Sequence, residues 1–257
     1  AGFPMAARSD AALLLAAASL VLGCAAASTA VPAMGLPRIA KNPSVFELNT
    51  RVVMHELKLR QGKKASLDDF PDSRLDELER GGFDFVYMLG TWQTGKYGQE
   101  TAKALAERDG LAVEGASSSP FAVTEYSVPS EFGGDAALER FRQRLHLRNM
   151  RLMLDFVPNH VAVDHPWTAA KPELFIQGTE EELLAEPANY FKVGQSILAH
   201  GRDQYFDGWQ DTAQLDYGRA ETRAEMLKVL QKMAGQCDGI RCDMAMLLCP
   251  EVMEATW

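Results

Sequence analysis

The chain has 257 residues, 47% of them hydrophobic and 24% charged, which suits one large domain or two small ones around a sizeable core. That composition excludes a disordered, collagen-like or small disulfide-rich protein. Lys and Arg number 26 against 35 Asp and Glu, a formal charge of -9, and no basic run exceeds the Lys63-Lys64 pair, which argues against nucleic acid and an anionic membrane surface as partners.

Within residues 1–40 the only charges are Arg8, Asp10 and Arg38, and residues 11–22 are apolar apart from Ser19. Small residues follow, as in Ser28-Thr29-Ala30. The pattern predicts a cleaved signal- or transit-like leader over 1–40, with secretion or plastid import as its consequence. Val21-Leu22-Gly23-Cys24 is similar to a lipoprotein cleavage box, so a membrane partner is expected only where the leader is lipidated or left uncleaved. The folded domain is then expected over 41–257.

Residues 45–48 read as a short strand. Ser73 is the expected cap of a helix running through Glu79, with Leu75 and Leu78 on one face and Gly81-Gly82 ending it. Residues 83–89 read as a strand buried on both faces. Asp135 is the expected cap of a second helix, with Leu138, Phe141 and Leu145 at helical spacing and Asn149 at its end. Residues 152–157 form the next buried strand. A third helix spans 220–234, with Met226, Leu230 and Met233 on one side and Gly235 closing it. Residues 239–243 form a fourth strand. This alternation predicts a parallel sheet with helices outside it. Two long connections, 90–134 and 161–219, follow strand ends, where long loops are usually functional. Cys237, Cys242 and Cys249 are an odd count without C-x-x-C spacing and read as buried thiols.

Asp155-Phe156-Val157-Pro158-Asn159-His160 ends the third strand, and Gly239-Ile240-Arg241-Cys242-Asp243 forms the fourth. Residues two apart on a strand share a face, so Arg241 and Asp243 point the same way and Cys242 packs on the other. A guanidinium favours the ionised form of a neighbouring carboxyl, and an ionised Asp at a barrel mouth suits a nucleophile. Taken alone, the pair reads first as a structural ion pair at a strand end.

Taken together, the two segments resemble signatures of glycoside hydrolase family 13, the α-amylase family: Asp-x-x-x-Asn-His and then Gly-x-Arg-x-Asp. Between them, His165-Pro166-Trp167 resembles the start of the family's inserted domain B, and Gln214-Leu215-Asp216-Tyr217 the short signature near its end. Ser119-Pro120-Phe121, before Tyr126 and Phe132-Gly133, resembles the stretch after strand two. The likeness runs from about residue 42 to 257. It implies an α/β fold, the (β/α)8 barrel of the α-amylase type, with domain B over 161–219. It also implies roles. Asp243 would be the nucleophile of a retaining mechanism on α-glucans, held ionised and oriented by Arg241. His160 would donate a hydrogen bond to the sugar in subsite -1, and Phe121 would stack on it where the family usually has a Tyr. Asn159 would be a calcium ligand or a structural hydrogen bonder, and Asp155 a brace for the strand end.

The sequence departs from the pattern at several positions. Gln214 stands where the calcium site usually has an Asp, and Leu247 where it has a His carbonyl; loss of charge weakens such a site, so no cofactor is required and calcium is a weak expectation. Met246 and Leu247 replace a Lys-His that often contacts sugars on the leaving-group side. Only four strand candidates are visible, and the family's acid Glu and second Asp belong to strands five and seven. The expectation is an incomplete, inactive N-terminal half of a longer enzyme. Glu251 and Glu254 fall in a helix after strand four and are poor substitutes for the acid. A competing reading is a non-catalytic amylase-like protein that binds carbohydrate or protein. Hydrolysis, isomerisation and glucosyl transfer share these motifs and stay open.

Overall fold

The structure, a computed structural model, describes residues 39–62, 64–111 and 118–257. The expected leader, Cys24 included, lies outside the described residues except for 39 and 40. Among the described residues no helix is long and apolar enough to cross a membrane.

Four parallel strands form the central sheet: β1 (Val45–Asn49), β2 (Phe85–Leu89), β5 (Arg151–Phe156) and β10 (Gly239–Cys242). They lie in the order β1-β2-β5-β10, each new strand joining the edge left by the one before. The registers run Val45↔Phe85, Phe85↔Arg151 and Gly239↔Met153. The order advances in one direction without the reversal of a doubly wound sheet, as successive strands of a β/α barrel do. Among the described residues no strand pairs with the outer edge of β1 or of β10.

Apolar periodicity places the helices. After β1 comes α1 (Thr50–Gln61), burying Met54 and Leu57, then α2 (Asp72–Arg80), burying Leu75 and Leu78. Helix α4 (Gly134–His146) buries Leu138, Phe141 and Leu145, and α7 (Ala220–Gln236) buries Met226, Leu230 and Met233. These join Val86, Met88, Leu152 and Leu154 of the strands in one core. Each such side chain contributes about 1.5–3 kcal/mol.

The element boundaries correct several expectations. Helix α2 starts at Asp72 behind Pro71, whose fixed φ of -66° prepares the first turn, so Ser73 lies inside the helix and caps nothing. Helix α4 starts behind Gly133 at φ 99°, a conformation a side chain resists. Asp135 sits in its first turn and accepts a hydrogen bond from the Val128 N–H at 2.7 Å. Asn149 does adopt the left-handed conformation just past the helix, at φ 57°. Helix α7 runs through Gly235 to Gln236, because Arg142 of α4 donates to the carbonyls of Gly235 and Cys237 and satisfies its last turn. Cys237 is buried, Cys242 half-buried and Cys249 exposed; the last lies at the solvent-facing start of helix α8 (Pro250–Thr256), against expectation.

The connections are structured. After β2, the pair β3 (Gln93–Thr94) and β4 (Val123–Glu125) flanks helix α3 (Lys96–Arg108). After β5, β6 (His160–Ala162) pairs antiparallel with β9 (Thr212–Gln214). Between them lie the short helices α5 (Pro166–Ala170) and α6 (Glu180–Ala185), and the hairpin β7 (Tyr190–Val193) with β8 (Ser196–Ala199). The hairpin builds a small core of its own from Tyr190, Ile197 and Ala199.

Candidate active site

The C-terminal ends of β2, β5 and β10 bring polar groups together. In the register of the sheet Arg241 lies beside Asp155, and Asp243 follows two residues on. Arg241 forms a salt bridge with Asp243 and its Nη1 stands 3.6 Å from Asp155 Oδ1. The Asp243 N–H donates to the Phe156 carbonyl at 2.8 Å, which fastens the end of β10 to β5. The predicted Arg241–Asp243 face is therefore formed.

Asp155 is fully buried. It accepts from the Tyr87 hydroxyl and from the Gly90 N–H at 2.9 Å, while its carbonyl accepts from the Trp92 indole at 2.7 Å. Gly90 has φ 76°, and a Cβ there would stand 2.8 Å from Pro120 Cβ, so only glycine lets the turn close on the carboxylate. Burial raises the Asp155 carboxyl; the bonds from Tyr87 and Gly90 and the charge of Arg241 pull it back. Burial likewise raises Asp243, and Arg241 opposes the rise without offsetting it. The expected role of Arg241 is to hold Asp243 ionised; the guanidinium acts in that direction, but burial raises the carboxyl by more.

Phe121 reaches the same place. The Arg241 guanidinium carbon lies over its ring, 5.2 Å from the centroid. Tyr126, next to Trp92 and Phe156, exchanges hydrogen bonds with the Val157 backbone and holds the turn after β5. No motif in the sequence marks Tyr87, Gly90 or Trp92 as part of this site. The visible signal was a phenol inside an otherwise apolar strand run, since a buried hydroxyl needs a partner.

His160 and Asn159 stand where β6 leaves the end of β5, both buried. The His160 ring meets the Trp209 ring edge to face, centroids 5.2 Å apart, and burial lowers its pKa to about 4. Asn159 Nδ2 lies 3.3 Å from His160 Nδ1 and 3.2 Å from Gln214 Oε1. The two protons of Gln214 Nε2 are shared among the Asn159 carbonyl at 2.9 Å, Asn159 Oδ1 at 3.1 Å and the Leu215 carbonyl at 3.2 Å. Calcium requires six to eight oxygen ligands. Here each side-chain oxygen already accepts one N–H, and the two neutral amides bring no carboxylate charge to such an ion. Among the described residues no group of three or more His, Cys, Asp or Glu side chains is placed to hold a metal.

A family model for the alpha-amylase catalytic domain matches residues 121–255, from Phe121 through the Arg241–Asp243 strand. The chain belongs to the alpha-amylase family. Among curated proteins it is similar to alpha-amylase MalA of Haloarcula japonica, 24% identical over 209 residues, covering 81% of this chain and 26% of that protein. It is also similar to an alpha-glucosidase of Schizosaccharomyces pombe, 28% identical over 99 residues, covering 37% and 17%. The chain thus spans about a quarter of the length of the first relative and less of the second. Its fold resembles that of an alpha-amylase from Lactobacillus plantarum, with TM-score 0.54, 22% identity, and 83% of this chain against 41% of that one covered. An isomaltulose synthase variant from Erwinia rhapontici NX5, crystallised with sucrose, aligns with TM-score 0.55 and 17% identity, covering 81% and 36%.

Proposed function

We propose that the chain is the nucleophile-bearing part of a retaining α-amylase-family enzyme acting on α-glucans. The observation that carries this reading is the Arg241–Asp243 pair at the end of β10, braced by buried Asp155, in a chain of that family. Asp243 attacks the anomeric carbon and forms a glycosyl-enzyme ester; water or an acceptor sugar then releases it with retention. Arg241 orients Asp243 and favours its ionised form. The neutral His160 donates from its ring to a sugar hydroxyl. Phe121 offers an aromatic face to the sugar while its ring also supports Arg241. The excursion between β5 and α7 acts as domain B and borders the substrate.

A second carboxyl must protonate the leaving oxygen, about 5 Å from the nucleophile. Asp155 is unsuited to this, because Tyr87 and Gly90 occupy its oxygens. In this reading the acid comes from outside the four described strands, and residues 39–257 alone are inactive. Relatives named alpha-amylase, alpha-glucosidase and isomaltulose synthase support an α-glucoside substrate and leave hydrolysis and transfer both open.

The test follows products of the natural gene product on maltooligosaccharides by proton NMR. The α-anomer should be released first, and Asp243→Asn should lower kcat about 1,000-fold or more. First release of the β-anomer, or full activity in Asp243→Asn, would overturn the proposal. Turnover by residues 39–257 alone that Asp243→Asn abolishes would overturn its fragment part.

A further inference from the structure

The chain leaves the barrel sheet through Asn159 and comes back through Gln214, and the two buried side chains meet at that root. Gln214 Nε2 lies 2.9 Å from the Asn159 carbonyl and 3.2 Å from the Leu215 carbonyl. Two backbone carbonyls can face only an amide nitrogen, so chemistry fixes which way Gln214 points. Its Oε1 then requires the Asn159 nitrogen opposite it, at 3.2 Å, and its Nε2 takes Asn159 Oδ1 at 3.1 Å. The Asn159 amide is thereby oriented too. Its Nδ2 reaches His160 Nδ1 at 3.3 Å, which has to accept, and the proton of the neutral ring is left on Nε2.

We propose that the Asn159–Gln214 amide clasp replaces calcium as the tie between strand β5 and the excursion that follows it, and that Gln214 acts through Asn159 as a positioning residue for His160. Each side-chain oxygen of the pair already accepts an N–H from the other amide, and two neutral amides supply none of the negative charge that a calcium site draws on. Among the described residues no carboxylate hydrogen-bonds to either amide. The clasp stands whatever the reaction is; only the significance of the His160 tautomer rests on the function proposed above.

The test uses the unmodified protein first. Thermal unfolding should have the same midpoint in EDTA and in millimolar calcium chloride, and calorimetric titration with calcium should give no saturable heat. A saturable rise of the midpoint with calcium would overturn the proposal. Gln214→Glu keeps the length but turns an oxygen toward the two carbonyls, so its midpoint should fall in EDTA; an unchanged midpoint would overturn the clasp. Nitrogen-15 NMR of the unmodified protein supplies a readout that packing alone would not move. His160 should show a protonated Nε2 and a bare Nδ1, and the opposite tautomer would overturn the positioning role.

Discussion

At Asp155 a buried carboxylate gathers the Tyr87 hydroxyl, the Gly90 N–H and the flank of the Arg241 guanidinium. Its side chain is wholly inaccessible, and the buried Tyr87 hydroxyl and Gly90 N–H have no water to fall back on, whereas Arg241 is part-exposed and keeps Asp243. Asp155→Ala leaves the Tyr87 hydroxyl and the Gly90 N–H unpaired and should cost about 3–5 kcal/mol in urea unfolding. Tyr87→Phe removes one donor and should cost about 1–2 kcal/mol. An Asp155→Ala loss no larger than that of Tyr87→Phe would mean the carboxylate is not the hub. The candidate nucleophile Asp243 and its neighbour Arg241 were legible in the sequence because strand alternation fixes their shared face. Tyr87, Gly90 and Trp92 were not, because they come from another strand and meet Asp155 only through the parallel register of β2 and β5.

Between elements, Asp238 joins α4, β5 and the entrance to β10. It accepts from Arg142 at 2.5 and 3.0 Å, from His146 at 2.7 Å and from the Leu152 N–H at 2.9 Å. Burial would raise its pKa, but the bonds from His146, Arg142 and Leu152 outweigh burial and lower it to about 2. The folded value lies below the unfolded value of roughly 3.9, so the contribution, about 2 kcal/mol, is fully present above that pH. It is lost as pH falls from about 4 through 2. Acid unfolding of Asp238→Asn should therefore be flatter than that of the parent over that range, with lower stability at neutral pH; parallel curves would remove Asp238 as the cause. The helices this clamp ties together were readable from their apolar spacing. Their caps were not, since Gly133 acts through backbone geometry and Arg142 from a different helix.

Across the whole molecule, β1 and β10 present free edges among the described residues. Beside β1, an apolar groove between α1 and α2 is lined by Phe46, Leu48, Val53, Leu57 and Phe70. Free strand edges beside apolar surface favour association. Residues 39–257 produced alone should show concentration-dependent sedimentation, and a single monomeric species up to the solubility limit would contradict this. The sequence by itself determined the four strand segments, the core-facing sides of α2, α4 and α7, and the family signatures. Each of these depends on local periodicity or on a short contiguous motif. Only the tertiary structure decided which donors surround Asp155, that burial outweighs Arg241 at Asp243, and that Gln214 and Asn159 satisfy each other. Those outcomes depend on distances between residues far apart in the chain, where packing sets both the partner and the desolvation that gives the contact its strength.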